Sequence, residues 1–118
     1  MATASTPRIS HEQCVPAAQS LGRAFQFLGK RWTAVLLGHL SGGPAGFREL
    51  SRAVGGVSDS VLSERLSDLT AGGLVTRTVD EGPPLSVTYA LTDSGLALMP
   101  ALEQIAQWAK QHLAPGDC

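Results

Sequence analysis

The chain has 118 residues and a mass of 12.3 kDa, which gives room for one domain with short tails. Apolar residues make up 43% and charged residues 16%, a balance that excludes a disordered chain. No apolar run approaches the roughly 18–20 residues of a membrane-spanning helix, and residues 1–10 lack the features of a secretory signal, so we expect no membrane partner and a cytoplasmic location.

Motifs of enzymes and metal sites are missing from the sequence. The two cysteines, Cys14 and Cys118, form no CxxC pair, and the three histidines are isolated. No GxSxG, HExxH, P-loop or GxGxxG motif occurs. We therefore expect neither an enzyme nor a bound metal or other cofactor.

The net charge of −1 conceals an uneven distribution. From Arg23 to Arg77 there are seven basic and four acidic residues, whereas the rest of the chain has two basic and six acidic ones. A basic middle beside an acidic end is compatible with a surface that faces phosphates, and equally with chance.

The apolar spacing predicts five helices and a β-hairpin between a flexible arm (1–14) and a tail (114–118). Ser58 and Thr92 are favourable N-caps, glycines end several of the helices, and Pro100 is expected to kink or divide the last helix. In chain order the expected elements are helices at 17–28, 32–40, 47–54 and 59–70, strands at 74–79 and 87–91, and a helix at 93–113.

The third and fourth helices have the spacing of a helix-turn-helix, and a hairpin directly after the fourth makes the winged variant. The sequence therefore predicts a mainly α fold with a small hairpin (α+β), in the order α-α-α-α-β-β-α, with residues 15–113 as one winged helix-turn-helix domain.

This architecture predicts a DNA-binding surface. The N-terminal part of a recognition helix lies near base edges in the major groove, and the residues at this place in the sequence are Ser58, Asp59, Ser60, Val61 and Ser63, with Glu64 one step further in. The competing interpretation is that the nearby charges only solvate a surface. The basic residues expected to contact phosphates are Lys30, Arg31, Arg48, Arg52, Arg65 and Arg77.

The chain resembles the HxlR-type transcriptional regulators, a winged helix-turn-helix family related to the MarR group, over about residues 21–113. The resemblance rests on the order and spacing of GKRWT (29–33), FREL (47–50), VSDSVLSERLSDL (57–69), GLV (73–75), VTYALT (87–92) with Gly95, and LMP (98–100). It implies a bacterial homodimer that binds operator DNA and is joined through its terminal helices. Many relatives have basic residues in the recognition helix and near the wing tip, where this chain has Ser60, Ser67, Asp80 and Glu81.

The last helix supports a dimer independently, because its apolar face is broad for a small three-helix core. The alternative is that this helix folds back onto its own core. The expected interface residues are Leu21, Phe25, Leu98, Leu102, Ile105 and Trp108.

Cys14 resembles a cysteine that some relatives use as a switch for electrophiles or oxidants. It lies 18 residues before Trp32, several more than the family pattern, and its nearest basic residue is Arg8. A reactive thiol needs a helix N-terminus or a basic neighbour. An inert Cys14 is the favoured interpretation, and Cys14 as a redox sensor is the alternative.

The sequence thus predicts a homodimeric regulator, a repressor, on a pseudo-palindromic operator, with an oxidant or small-molecule effector as a possible addition. The rival hypothesis is a winged-helix module whose fourth helix binds protein, suggested by Asp59, Glu64 and Asp68.

Overall fold

The structure, a computed structural model, describes the backbone of residues 11–114 and the side chains of residues 17–114. These residues form two compact units that meet between Arg31 and Trp32, within the range 15–113 that the sequence assigns to one domain. The first unit contains α1 (His11–Leu28). This helix begins six residues before its expected start, so residues 11–14 are helical rather than part of an irregular arm.

The second unit has the winged helix-turn-helix order that the sequence predicts. Its helices are α2 (Thr33–Leu40), α3 (Phe47–Val54), α4 (Asp59–Ala71) and α5 (Asp93–His112). Its strands are β1 (Ala45–Gly46), β2 (Val75–Asp80) and β3 (Ser86–Leu91). The predicted α+β class is confirmed, and α3 has the expected bounds.

One strand was not predicted. β1 has only two residues and pairs antiparallel with β3, Ala45 opposite Tyr89 and Gly46 opposite Thr88, which gives the sheet order β1-β3-β2. A two-residue strand carries no alternation of apolar and polar residues, and the preceding Gly43-Pro44 is typical of a turn.

The core of the second unit consists of leucines from three helices, closed by the sheet. Periodic leucines are buried because each helix turns one face inward. The fully buried apolar side chains are Leu36, Leu37 and Leu40 of α2, Leu50 of α3, Leu62, Leu66 and Leu69 of α4, and Val75 of β2.

α5 starts against the connection between α4 and β2. Gly95 is buried there, and a Cβ at this position would clash with the carbonyl oxygen of Leu74. The backbone N–H of Thr92 also donates to that carbonyl, at 3.0 Å. The helix then continues unbroken through Pro100 to His112, so the proline does not divide it. In the part of the chain described here, no helix combines the length and apolarity needed to cross a bilayer.

Candidate nucleic-acid interface

A short glycine turn connects α3 to α4 and sets where α4 begins. Gly55 and Gly56 have φ angles of 71° and 80°, a left-handed conformation that glycine adopts without strain. Ser58 is extended, and its side chain accepts a hydrogen bond from the backbone N–H of Val61 at 3.2 Å. The predicted N-cap is therefore confirmed, and it satisfies one of the free N–H groups at the start of α4.

The solvent face of α4 carries short polar side chains. Leu62, Leu66 and Leu69 are buried on one side, whereas the opposite side exposes residues that a groove could receive. Of the residues expected to read bases, Ser58, Ser60, Ser63 and Glu64 are exposed and Val61 is half-buried. Ser67 is exposed one turn after Ser63.

Arg48 and Asp59 form a two-pronged ion pair across the turn. The Arg48 guanidinium donates from Nη1 to Oδ1 of Asp59 at 3.0 Å and from Nη2 to Oδ2 at 2.9 Å. The hydrogen bond from Arg48 lowers the pKa of Asp59, and the same bond raises the pKa of Arg48. Their side chains are 66% and 59% exposed. The predicted phosphate contact Arg48 is thus already engaged, with the first residue of α4.

Arg65 is held within the chain. Its side chain is only 16% exposed, and Nη1 lies 2.9 Å from Oδ2 of Asp68. Arg65 was expected to contact phosphates, but its position three residues before Asp68 on one helix gives it an acidic partner on the same face. The sequence could have indicated this pairing by the spacing alone.

The remaining predicted basic residues are all exposed. Arg52 lies on α3, one turn after Arg48, and Arg77 lies on β2. In the described part of the chain, neither has an ion-pair partner. Lys30 and Arg31 belong to the first unit, directly after α1.

A pocket of about 390 Å³ lies between α4 and the sheet. Arg77 and Tyr89 line it from directly opposite positions on β2 and β3, and Ser63 and Ser67 line it from α4. One cavity beside the exposed face of α4 is therefore lined by an arginine and by four residues with hydroxyl groups, Ser63, Ser67, Thr70 and Tyr89. The pocket could not be predicted from the sequence, because strand register decides which residue faces Arg77.

The tip of the hairpin is acidic, as the sequence indicates. Asp80 accepts a hydrogen bond from the backbone N–H of Gly82 at 3.1 Å, which orders the turn, and Glu81 is exposed. Arg77 is the basic residue of the hairpin, and it lies in the strand rather than at the tip.

The predicted dimer residues differ in exposure. In the first unit Leu21 and Phe25 are exposed. On α5, Leu98 and Leu102 are half-buried, while Ile105 and Trp108 are 42% and 55% exposed.

A groove beside this face of α5 was not predicted. It measures about 310 Å³ and is lined by α2 and α5, including Val35, Met99, Leu102, Ile105 and Ala106. Val35 is 49% exposed. The apolar surface of the second unit therefore extends from α5 onto α2.

Cys14 belongs to α1, and its side chain lies outside the described part of the structure, as does Cys118. Within the described side chains, no three His, Cys, Asp or Glu residues are grouped so that they could hold a metal ion.

Proteins that are similar to this chain in sequence and fold include transcriptional regulators. The chain is 37% identical to the HTH-type transcriptional regulator YodB of Bacillus subtilis over 94 residues, which cover 80% of this chain and 84% of YodB. It is 40% identical to the HTH-type transcriptional regulator YvaP of the same species, also over 94 residues, which cover 80% of this chain and 87% of YvaP. The reduced form of YodB superimposes with a TM-score of 0.73, at 36% identity over 83% of this chain and 96% of that chain. YodB has also been solved diamide-treated and quinone-bound.

The redox regulator HypR in its reduced form is 28% identical and has a TM-score of 0.74, covering 78% of this chain and 91% of that chain. A sequence profile of the HxlR-like helix-turn-helix family matches residues 27–117. The chain belongs to the HxlR-like helix-turn-helix family.

Proposed function

We propose that the protein is a homodimeric transcriptional repressor that recognises a pseudo-palindromic operator. The observation that carries this proposal is the exposed polar face of the capped helix α4, bordered by arginines from α3 and β2. A helix with short polar side chains on its solvent face can enter the major groove, which is about 12 Å wide. A dimer presents two such helices to two half-sites.

Each group of exposed residues has its own role in this proposal. Ser60, Ser63 and Glu64 contact base edges, where a carboxylate accepts from the amino group of cytosine. Arg52 and Arg48 of α3 contact the DNA backbone, and the main-chain N–H groups at the start of α4 favour an anion nearby. Lys30 and Arg31 of the first unit are further candidates for phosphate contacts. Arg65 has no role here, because it is paired with Asp68.

Arg77 makes the contact of the wing. In a winged-helix complex the recognition helix lies in the major groove and the hairpin lies over the adjacent minor groove. The sugar-phosphate strand that separates the two grooves passes between the helix and the hairpin. In this proposal the pocket lined by Arg77, Ser63 and Ser67 receives a phosphate of that strand, for which arginine and serine side chains are donors. The acidic tip, Asp80 and Glu81, stays away from the DNA.

The dimer uses the apolar side chains of both units. Ile105 and Trp108 of α5, with Val35 beside them, leave apolar surface exposed in a single chain, and covering it by a second copy removes it from water. Leu21 and Phe25 of the first unit are the further residues that we propose for dimer contacts. Their exposure in the single chain supports this part of the proposal.

The salt dependence of DNA binding tests the function. If Arg48, Arg52 and Arg77 of each protomer reach phosphates, the dimer makes about six contacts, and log affinity falls against log salt with a slope of roughly −5. The measurement is fluorescence anisotropy with the duplex upstream of the protein's own gene and an unrelated duplex as competitor. A slope near zero, or equal affinity for both duplexes, argues against an operator-binding regulator.

The protein-binding alternative has the acidic residues of α4 as its basis. Asp59 is paired with Arg48 and Asp68 with Arg65, and the Oε2 atom of Glu64 lies 3.9 Å from Nη1 of Arg65, so all three acidic residues of α4 lie near an arginine of this chain. The structure therefore favours DNA as the partner. A selection of bound fragments from genomic DNA that returns nothing, together with a protein that co-purifies, would reverse this preference.

An oxidant response is a further proposal, and it comes from the relatives. Redox forms of YodB and HypR have been solved, and Cys14 is the fourth residue of α1, in the first turn of a helix, where thiolates are favoured. The test is DNA binding before and after diamide, in the wild type and in Cys14→Ser. Loss of binding in the wild type alone supports Cys14 as the sensor, whereas binding unaffected by diamide leaves it inert.

A further inference from the structure

We infer that Asp59 is a specificity-determining residue, which competes with DNA phosphates for Arg48 and so lowers binding to DNA of the wrong sequence. The inference rests on the proposed function, because it concerns the same DNA surface. It starts from the ion pair that joins α3 to the first residue of α4.

The carboxylate of Asp59 occupies the Arg48 guanidinium as a phosphate would. Two oxygens of one group accept from two nitrogens, Oδ1 from Nη1 at 3.0 Å and Oδ2 from Nη2 at 2.9 Å. A phosphodiester also offers two free oxygens to the same fork. Arg48 therefore cannot make a two-pronged contact with DNA while this pair is closed.

The pair is placed where it can open. Both side chains are well exposed, and exposed ion pairs are weak because water and salt screen them. Arg48 also lies over the Phe47 ring, its guanidinium carbon 5.3 Å from the ring centre, a contact that does not depend on Asp59. An approaching phosphate can therefore replace the carboxylate and leave Arg48 supported on its own helix.

The exchange leaves Asp59 charged and close to the DNA. The ordinary pKa of an aspartate, 3.8, is far below neutral, so the Asp59 carboxylate stays ionised near neutral pH even without the hydrogen bond from Arg48. As the first residue of α4, it lies at the end of the helix that meets the bases. There it repels phosphates, unless a base edge offers a donor such as the amino group of cytosine.

This difference between sequences produces the specificity. An operator with a suitable base donates a hydrogen bond to the Asp59 carboxylate, which replaces the bond that it loses from Arg48. A random duplex lacks that donor at this position. Both kinds of DNA have the same phosphates, so Asp59 weakens binding to random DNA more than binding to the operator.

The experiment compares Asp59→Asn with Asp93→Asn. Asp93 is the matched control, because it is also an exposed first residue of a helix and directly follows the N-cap residue, Thr92. Its variant has the same change in net charge. Affinity is measured for a random duplex and for a duplex selected by the wild type from a random library. Circular dichroism verifies that each variant is folded.

We expect Asp59→Asn to strengthen binding of the random duplex by about tenfold in a dimer, or about threefold per protomer, relative to Asp93→Asn. Affinity for the selected duplex rises less, so the ratio between the two falls. In an Arg48→Gln background the difference between the two variants becomes smaller, because the competition for Arg48 is gone and only the direct repulsion between the Asp59 carboxylate and the phosphates remains.

Three results would overturn the inference. Equal effects of the two variants mean that only net charge matters. Weaker binding by Asp59→Asn means that the closed pair is the form that binds DNA. An effect on the random duplex that is undiminished without Arg48 means that Asp59 does not compete with phosphates for Arg48. Failure of the proposed function is a different result, in which the wild type selects no duplex from the library. The affinities of the two variants for the random duplex still show in that case whether Asp59 competes with phosphates for Arg48.

Discussion

The hydroxyl of Thr92 joins the start of α5 to the end of α4. Its Oγ1 accepts a hydrogen bond from the backbone N–H of Gly95 at 3.1 Å and donates one to the carbonyl of Gly73 at 2.6 Å. We expect Thr92→Ala to lower the free energy of unfolding by about 1–2 kcal/mol, since it loses a cap and a second bond. Thr92→Ser keeps the hydroxyl and is the control in urea unfolding. Equal losses in both variants would assign the effect to the methyl group.

Gly95 has a different kind of constraint, which is space. A Cβ there would clash with the Leu74 carbonyl and lie 3.1 Å from Cδ2 of Leu91. Gly95→Ala should therefore destabilise the fold by about 1–3 kcal/mol, the usual range for overpacking. Gly22→Ala is the matched change in α1, where nothing lies within 4 Å of the added carbon. Thermal unfolding should separate the two variants, and similar melting temperatures would contradict the close packing at Gly95.

The charge state of Asp59 depends on Arg48 and can be titrated directly. Because the hydrogen bond from Arg48 lowers its pKa, Arg48→Gln should return that pKa towards the ordinary value of 3.8. A lowered pKa in the folded state stabilises the protein above pH 3.8, and this contribution is lost as the pH falls through the lower value. NMR titration of the carboxyl carbon measures the shift. Arg52→Gln, which removes an equal charge one turn away, should leave the pKa low.

Elements with strong local signals could be predicted from the sequence. The Ser58 cap fixes the start of α4, and the apolar spacing of Phe47, Leu50 and Val54 gave both ends of α3. Local signals could not predict β1, because its two residues form a strand only by pairing with β3. The Arg48–Asp59 pair joins residues eleven positions apart, so only the angle between α3 and α4 brings them together.

The same limit applies to the candidate site. Exposure of Ser60, Ser63 and Glu64 follows from the helical period, so the sequence placed them correctly on the face of α4. The helical period does not predict whether an arginine forms an ion pair with an acidic residue. Arg65 lies at the border between the buried and exposed faces, and Asp68 on the same helix draws it inward. The helical period therefore predicts whether a basic residue is exposed, but not whether an acidic residue of the same helix holds it.

Helices α3 and α4 should respond differently to substitution. Glu64→Gln on α4 is expected to change which base is preferred, with about 1–3 kcal/mol of discrimination at that position. Arg52→Gln on α3 should weaken all sequences alike and reduce the salt slope of the dimer by about two, since each protomer loses one phosphate contact. Selection from a random library and anisotropy at several salt concentrations measure the two effects. A changed base preference in Arg52→Gln would contradict this division of roles.

At the scale of the molecule, some of the exposed apolar residues lie on the surface that we propose for a second copy. Ile105, Trp108 and Val35 belong to α5 and α2, which border one groove, whereas Leu85 is equally apolar and exposed at the hairpin. Periodicity predicted the apolar face of α5, but Val35 lies on a helix that is apolar nearly all round. Its exposure could be recognised only once α2 was packed.

The dimer is tested by placing a charge in this surface. Ile105→Glu should dissociate the dimer, because a carboxylate buried at an interface without a partner is strongly unfavourable. Leu85→Glu adds the same charge to an exposed apolar residue outside the groove and should leave the dimer intact. Sedimentation velocity gives the oligomeric state of both variants. If Ile105→Glu is a folded monomer that also loses operator binding, operator recognition requires two recognition helices joined in a dimer. If Ile105→Glu remains a dimer, the interface lies elsewhere.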